Sequence, residues 1–264
     1  MSTQYPLYDG AGNLFRMMDG RGGAALPSIS ELCRLEGIRT DGAIILTEPR
    51  MEGCDFAMQY FNADGTGGMM CGNGGRCIVA FARDLGIRPK AADGRYRFEA
   101  PDCIHTGEIL SDGPLDKQVR LSLTDVTVFH RVAHPAGWFL NTGCRHFVTF
   151  LGSEAELQLL DIATLGPAFR YHAAFAPEGV NVDFVAVRPG GSLAMRTYEK
   201  GVEAETRACG TGAVASAIAA AIESGRTGAF HRVVEVPGGR LQADFNWDGK
   251  QATEVVLSGP THRH

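Results

Sequence analysis

One short turn is written twice in this chain. Cys71-Gly72-Asn73-Gly74 and Cys209-Gly210-Thr211-Gly212 stand about half a chain apart, and an apolar segment with helical spacing follows each. Two more segments keep the same order. Gly10-Ala11-Gly12-Asn13-Leu14-Phe15 answers Gly179-Val180-Asn181-Val182-Asp183-Phe184. Phe61-Asn62-Ala63-Asp64-Gly65 precedes the first cysteine turn as Tyr198-Glu199-Lys200-Gly201 precedes the second. Self-similarity spread over half the chain calls for two similar domains facing each other across a cleft. The expected first domain is 1–126 plus a returning strand at 255–264, and the second is 127–254, with the crossover between 123 and 129.

Between these landmarks the pattern is mixed. Alternating or short apolar runs predict strands at 43–47, 56–61, 119–123, 147–151, 180–187, 193–198, 233–236 and 254–257. Ser28-Ile29-Ser30-Glu31 reads as a capping box opening a helix to about position 36, with Gly37 as its stop. Two further helices are predicted at 75–85 and 213–223, ended by Gly86 and Gly225. Many strands and few helices give an α+β chain without regular βαβ alternation.

Composition narrows the function classes. Hydrophobic residues make up 44% and charged residues 21% of the 264, ordinary for a globular protein and unlike a disordered one. Lys plus Arg number 25 against 30 Asp plus Glu, with no basic run to neutralise a line of phosphates, so no nucleic-acid partner is expected. The longest apolar stretch, at 213–222, is too short to span a bilayer, so no membrane partner is expected either. Seven cysteines, with no basic-then-apolar leader at the start, suggest free thiols in a reducing cytoplasm. Thirty-four glycines are the compositional outlier, and they cluster at the turns.

The chemistry lies in the two cysteine turns. At a helix N-terminus several backbone N–H groups lack intrahelical partners and the helix dipole adds positive potential, so each turn is an anion site. The same field favours a thiolate, lowering a cysteine pKa from about 8.5 to as little as about 3.5–7.5. Facing each other, two such turns would grip one carboxylate and set a sulfur on each face of the neighbouring carbon. Stereoinversion without a cofactor needs that pairing: a base on one face, an acid on the other, and donors for the charge that develops. Cys33, Cys54, Cys77, Cys103 and Cys144 lack this context and are expected to pack. Cys71 and Cys77 do not have zinc spacing, and no metal site is expected. Gly72-Asn73-Gly74-Gly75 lacks the third glycine and the preceding strand of a dinucleotide turn.

These residues resemble the diaminopimelate epimerase family, cofactor-independent enzymes that convert LL-diaminopimelate to its meso form in lysine and peptidoglycan synthesis. The resemblance runs over essentially the whole chain. It rests on Gly10 to Asn13, Phe61 to Gly65, Cys71-Gly72-Asn73-Gly74-Gly75-Arg76-Cys77, Gly143 to His146, Val180 to Val182, Tyr198 to Gly201, Cys209 to Gly212 and Leu257 to Pro260. It implies two pseudo-symmetric domains, each a curved, mostly antiparallel sheet wrapped around a central helix. It makes Cys71 and Cys209 the thiol pair, with Gly72, Asn73, Gly210 and Thr211 donating backbone N–H groups to the reacting carboxylate. Glu199 would take the ammonium at the reacting carbon. Asn13, Asn62, Asn181 and Lys200 would hold the far amino-acid head, and His146 and Arg145 would support the site. The partner it implies is a small amino acid, with room for a homodimer and no cofactor.

The chain departs from that pattern in the far pocket. Lys200 stands where the family usually has Arg, and a lysine offers a point charge in place of a bidentate fork. Cys144-Arg145 replaces an Asn-Pro pair, Leu14 replaces an Asp, and Ala43 replaces a frequent Gln. Two other readings therefore stand beside the first: a racemase of another amino acid, or a thiol redox or anion-binding module without turnover. Proline and hydroxyproline racemases carry His where Asn73 stands and Asp-Arg-Ser-Pro ahead of the second cysteine, which is absent here.

Overall fold

In a computed structural model, which describes residues 5–23, 27–68 and 70–264, the chain divides into two compact units. The first comprises residues 1–122 and 258–264, the second residues 123–257. Mixed α+β architecture, with few helices among many strands, holds in both.

The first unit runs β1 (Leu7–Gly10), β2 (Asn13–Asp19), α1 (Ile29–Leu32), β3 (Gly42–Thr47), β4 (Phe56–Asn62), α2 (Gly72–Asp84), β5 (Tyr96–Glu99), β6 (Ile104–Asp112) and β7 (Asp116–Ser122). Neighbours in sequence are neighbours in the sheet. The pairs β2–β3 and β4–β5 are parallel, and the others are antiparallel. The chain's last residues close the ring: Gly259 to His262 pair with β7, and His262 and Arg263 pair with β1. The polar segment Thr261-His262-Arg263 thus belongs to the strand Ala252–Arg263, within the 255–264 segment expected to return to the first domain. A two-residue turn joins β1 to β2, with Ala11 at φ 61° and Gly12 at φ 95°. Positive φ at both central positions matches the twist of a tight hairpin. Ala11 adopts it at a cost of about 1–2 kcal/mol, and Asp9 Oδ1 accepts the Gly12 N–H at 2.7 Å.

Helix α2 fills the ring and is buried from Gly72 to Ala82. A helix inside a strand ring must carry small side chains on the faces that meet the wall, and this one reads Gly-Asn-Gly-Gly-Arg-Cys before its first large apolar residue. The fit is close: a Cβ on Gly107 of β6 would sit 2.3 Å from Val79.

The second unit runs β8 (Phe129–Val132), β9 (Gly137–Asn141), β10 (Arg145–Leu151), α3 (Glu154–Leu159), α4 (Ile162–Arg170), β11 (Asn181–Val187), β12 (Leu193–Glu199), β13 (Ala204–Thr206), α5 (Gly210–Glu223), β14 (Gly228–Val236), β15 (Gly239–Trp247) and the first part of β16 (Ala252–Arg263). Strand order is β8-β9-β10-β11-β12-β14-β15-β16, with β13 beside β12. Val126, just ahead of β8, bridges Ala252 at the other end of that order. The parallel pairs are β10–β11 and β12–β14. Helix α5 is buried from Gly210 to Ala219, and its run of alanines gives the slim cylinder this position needs. Helices α3 and α4 form the parallel crossover from β10 to β11, packing Leu157 and Ile162 on Phe147 and Phe184.

The strand patterns place the internal repeat. Around α2 the sequence β2‖β3, β3–β4, β4‖β5 reappears around α5 as β10‖β11, β11–β12, β12‖β14. The segments before the two cysteines correspond, as do the cysteine turns. The match of Gly10–Phe15 with Gly179–Phe184 does not hold. By topology β2 corresponds to β10, so the turn at Gly10–Asn13 answers Asn141–Arg145, while Asn181 begins the counterpart of β3. Short runs of glycine, asparagine and alternating apolar residues fit several strand starts equally well.

Both cysteine helices start earlier than their apolar spacing predicts, at Gly72 and Gly210, because the glycines ahead of the apolar residues are already helical. The helix predicted from 28 to 36 is shorter. Ser28 caps it, accepting the Glu31 N–H, but α1 ends at Leu32, and a separate single turn follows at Leu35–Gly37. Among the described residues no helix is long and apolar enough to cross a membrane.

Candidate active site

The two cysteines hold the same structural post. Cys71 is the N-cap of α2, at φ −117° and ψ 115°, and Cys209 is the N-cap of α5, at φ −124° and ψ 110°. Extended backbone at the cap turns the chain from strand into helix, so Gly72 and Asn73, like Gly210 and Thr211, supply the first-turn amides that have no intrahelical acceptor. All four of these residues are buried. The backbone carbonyl of each cysteine accepts the first helical N–H, from Gly75 at 2.7 Å and from Ala213 at 2.9 Å.

Their surroundings differ. Cys71 is half-buried, and its Sγ accepts the Gly74 N–H at 3.4 Å. Asn73 donates its side-chain amide to Asn13 Oδ1, tying the helix start to the first residue of β2. Arg76 reaches back along α2, donating to Gly72 O at 3.2 Å and Asn73 Oδ1 at 3.1 Å.

Cys209 ends a buried polar chain. Its Sγ lies 3.5 Å from Thr211 Oγ1, and Thr211 Oγ1 lies 3.0 Å from His146 Nε2. His146 Nδ1 lies 2.7 Å from Asp183 Oδ2, and Asp183 Oδ1 accepts from Thr197 Oγ1 at 2.7 Å. With Nδ1–H donating to the carboxylate, Nε2 is left as an acceptor facing the threonine hydroxyl, which stands between the ring and the sulfur. Burial, reinforced by Glu199 and Asp183, pushes the Cys209 thiol well above its ordinary range; Thr211 and the Gly212 N–H pull weakly the other way.

The other expected residues differ in burial and in the partners they hold. Glu199 ends β12, half-buried, and accepts from Thr206 Oγ1 at 2.8 Å. Asn181 donates to Arg145 O at 3.2 Å and accepts the Lys200 N–H at 2.8 Å, pinning the start of β10 to the end of β12. Asn62 accepts from Tyr60 Oη at 2.6 Å and donates to Thr66 Oγ1 at 2.9 Å. Lys200 is exposed. Arg145 is paired with Glu178 and lies over the Phe139 ring at 5.3 Å, and Ala43 is fully buried in β3.

The remaining cysteines are not all packing residues. Cys33, Cys54 and Cys77 are buried, but Cys103 is exposed and Cys144 half-buried, both in bends. Asp102, Cys103 and His105 gather their polar atoms within 4.8 Å, with His105 Nε2 3.0 Å from Asp102 Oδ1.

A family model described as diaminopimelate epimerase matches residues 138–263. Diaminopimelate epimerase of Chlorobaculum tepidum is 37% identical over 258 residues, covering 95% of each chain. The chain belongs to the diaminopimelate epimerase family. A second member, from Flavobacterium psychrophilum, is 37% identical over 260 residues, 96% of this chain and 94% of its own. Among solved structures, a phenazine biosynthesis protein of the PhzF family from Bacillus anthracis superposes with a TM-score of 0.76 at 14% identity, covering 98% of this chain and 95% of that one. At that identity the likeness concerns fold.

Two residues in this region were given no role by the sequence reading. Asp183 was the available signal for the second turn: a single carboxylate inside the apolar strand Asn-Val-Asp-Phe-Val-Ala-Val, two residues from Asn181 and so on its face of β11. Arg76 lies within the Cys71–Cys77 motif, the one cation in the first two turns of α2 and fully buried there.

Proposed function

We propose that this chain is a cofactor-independent epimerase that inverts the Cα of LL-diaminopimelate to give the meso form. The observation that carries the chemistry is the matched pair of buried helix starts, each with cysteine at the cap in the same backbone conformation. The names of its relatives supply the substrate. The two sulfurs serve as the base and the acid of the proton transfer.

In one direction a thiolate takes the Cα proton while the other thiol delivers its own to the opposite face; the sulfurs exchange protonation states and the carbon inverts. The electron pair left on Cα spreads into the adjoining carboxylate, whose oxygens take N–H donation from Gly72, Asn73, Gly210 and Thr211. Each such donor is worth about 3–4 kcal/mol of barrier. Glu199 holds the ammonium at the reacting carbon, and Asn13, Asn62, Asn181 and Lys200 hold the far head, with Arg145 and His146 in support. A reducing cytoplasm keeps the two thiols free.

The test is exchange of the Cα hydrogen in deuterated solvent, followed by proton NMR for LL- and meso-diaminopimelate and a panel of monocarboxylic amino acids. Exchange with both diaminopimelate isomers, abolished in Cys71→Ala and in Cys209→Ala, is the expected result. Exchange confined to a monocarboxylic amino acid would replace the substrate. Arg145, engaged by Glu178, and the exposed Lys200 are the features that favour that second reading.

A further inference from the structure

Arg76 is fully buried in the second turn of α2. Its hydrogen bonds go to two neutral acceptors, Gly72 O and Asn73 Oδ1, and its Nε has no partner. Among the described residues no carboxylate lies within ion-pair distance of it. A guanidinium without a counter-ion in a dry interior is costly, and it raises the positive potential of a helix start that the dipole has already made positive. Such a placement persists when an anion sits at the helix end. The charged or ionisable groups whose fields reach Arg76 are Cys71, Cys77 and Asp9 on β1. Asp9 stands outside ion-pair distance of the guanidinium, with one carboxylate oxygen on the Gly12 N–H, and burial drives Cys77 strongly toward its neutral thiol. That leaves Cys71, whose sulfur already accepts an N–H. The charged groups farther along α2, Asp84 and Lys117 of β7, pair with each other at 2.7 Å.

Resting on the epimerase reading above, we infer that Arg76 is a positioning residue that holds Cys71 as the resting thiolate, so that the free enzyme waits with its base on Cys71 and its acid on Cys209. The second turn is built the opposite way. The charged groups facing Cys209 are the carboxylates Glu199 and Asp183, which outweigh the opposing pull of the Thr211 hydroxyl and the Gly212 N–H. Two turns alike in backbone therefore carry charges of opposite sign behind them.

The test needs no turnover. Wild-type protein is alkylated with iodoacetamide over a pH series, and peptide mass spectrometry gives each cysteine its own midpoint. Cys71 titrates below Cys209. In Arg76→Met the Cys71 midpoint rises by about one to three pH units, the effect of removing one close cation; the Cys209 midpoint stays, and Arg76→Lys returns most of the shift. A purely structural role for Arg76 would change alkylation rates at both sites without moving the Cys71 midpoint alone. Cys71 titrating at or above Cys209 in the wild type, or an unmoved Cys71 midpoint in folded Arg76→Met, overturns the inference. Should Arg76→Met fail to fold, the wild-type order and the Arg76→Lys profile decide. A protein with a low Cys71 midpoint that does not exchange diaminopimelate would refute the substrate and leave this assignment standing.

Discussion

Gly74 and Gly212 occupy the same position in the two turns, three residues past each cysteine, yet a methyl group on each should have opposite consequences. On Gly212 a Cβ would lie 2.4 Å from Asp183 Oδ1 and 3.1 Å from its Cγ. Comfortable carbon contacts begin near about 3.5 Å, so the overlap is about 1 Å. Asp183 cannot step aside, because His146 Nδ1 and Thr197 Oγ1 each hold it at 2.7 Å. Nor can α5, buried through its first turns. Overpacking of this kind costs about 1–3 kcal/mol, and a strained charge-assisted hydrogen bond adds about 1.5–3. The better helix propensity of alanine returns about 1, so Gly212→Ala should lose about 1.5–5 kcal/mol net. That is on the order of 10 °C in Tm for a chain of this size. Displacement of the Cys209 turn by about 1 Å should cost roughly 100-fold in turnover. On Gly74 the new methyl meets Ile44 Cδ1 at 2.8 Å and Met58 Cε at 3.3 Å, both ends of side chains that can rotate. An off-rotamer adjustment of about 0.5–1.5 kcal/mol is nearly cancelled by propensity. Thermal unfolding and the deuterium-exchange rate of the two variants decide it. Equal damage in both, or a Gly212→Ala protein as stable and active as its parent, refutes the reasoning.

Three further outcomes follow from the same contacts. Thr211→Val removes the hydroxyl between His146 Nε2 and Cys209 Sγ. Stability should fall by about 1–3 kcal/mol, and the Cys209 alkylation midpoint should rise, since the hydroxyl favours the thiolate. Alkali should destabilise the fold: Cys77 and Cys209 keep their protons when folded, whereas the unfolded chain releases them near about pH 8.5. The native state then binds more protons, so stability drops as pH rises past that point, by up to about 1.4 kcal/mol per thiol per pH unit; a Tm unchanged between about pH 8 and 10, or a slope not made shallower by Cys77→Ala, would count against it. Deleting residues 261–264 removes the pairing of Thr261 and His262 with β7 and of Arg263 with β1. The opened edges should lower Tm and promote association visible in light scattering, and an unaltered Tm and scattering signal would show the closure to be dispensable.

The cysteine turns, their helices and the doubling of the chain were legible because each leaves a local mark: glycines at a helix start, a 3.6-residue apolar period, a repeated order. The returning strand at 255–264 was expected, but Thr261 to Arg263 carry no apolar alternation of their own, so their partners in β7 and β1, more than a hundred residues away, were not legible. Helices α3 and α4 had signals that were passed over. Ser153 accepts the Glu156 N–H and Asp161 the Thr164 N–H, capping patterns visible in Ser-Glu-Ala-Glu and Asp-Ile-Ala-Thr. At the site, motif residues mark where the backbone must go, and so Gly72, Asn73, Gly210 and Thr211 could be named. Asp183 and Arg76 act through burial and through the partners they have or lack, which a linear pattern does not display.

The departures from the family pattern and the thiols occupy different mechanical settings. The sulfurs sit at the starts of two helices enclosed by strands, where changing a neighbour means unpacking a ring: Gly10, Gly75 and Gly212 would each bring a Cβ within 3.0 Å of another residue. Lys200 follows the end of β12 and is exposed, Cys144 lies in the bend before β10, and Arg145 begins that strand with its guanidinium on exposed Glu178. Substitution at exposed Lys200 disturbs no core contact, whereas Arg145 also lies over the buried Phe139 ring and reaches Phe175 O. Ala43 is different, being fully buried in β3 beside Leu32 and Cys33, and restoring a glutamine there would press a polar chain into an apolar cluster. A swap of Lys200 to Arg should therefore alter KM at unchanged stability, whereas Ala43→Gln should destabilise the first unit before any effect on substrate can be read.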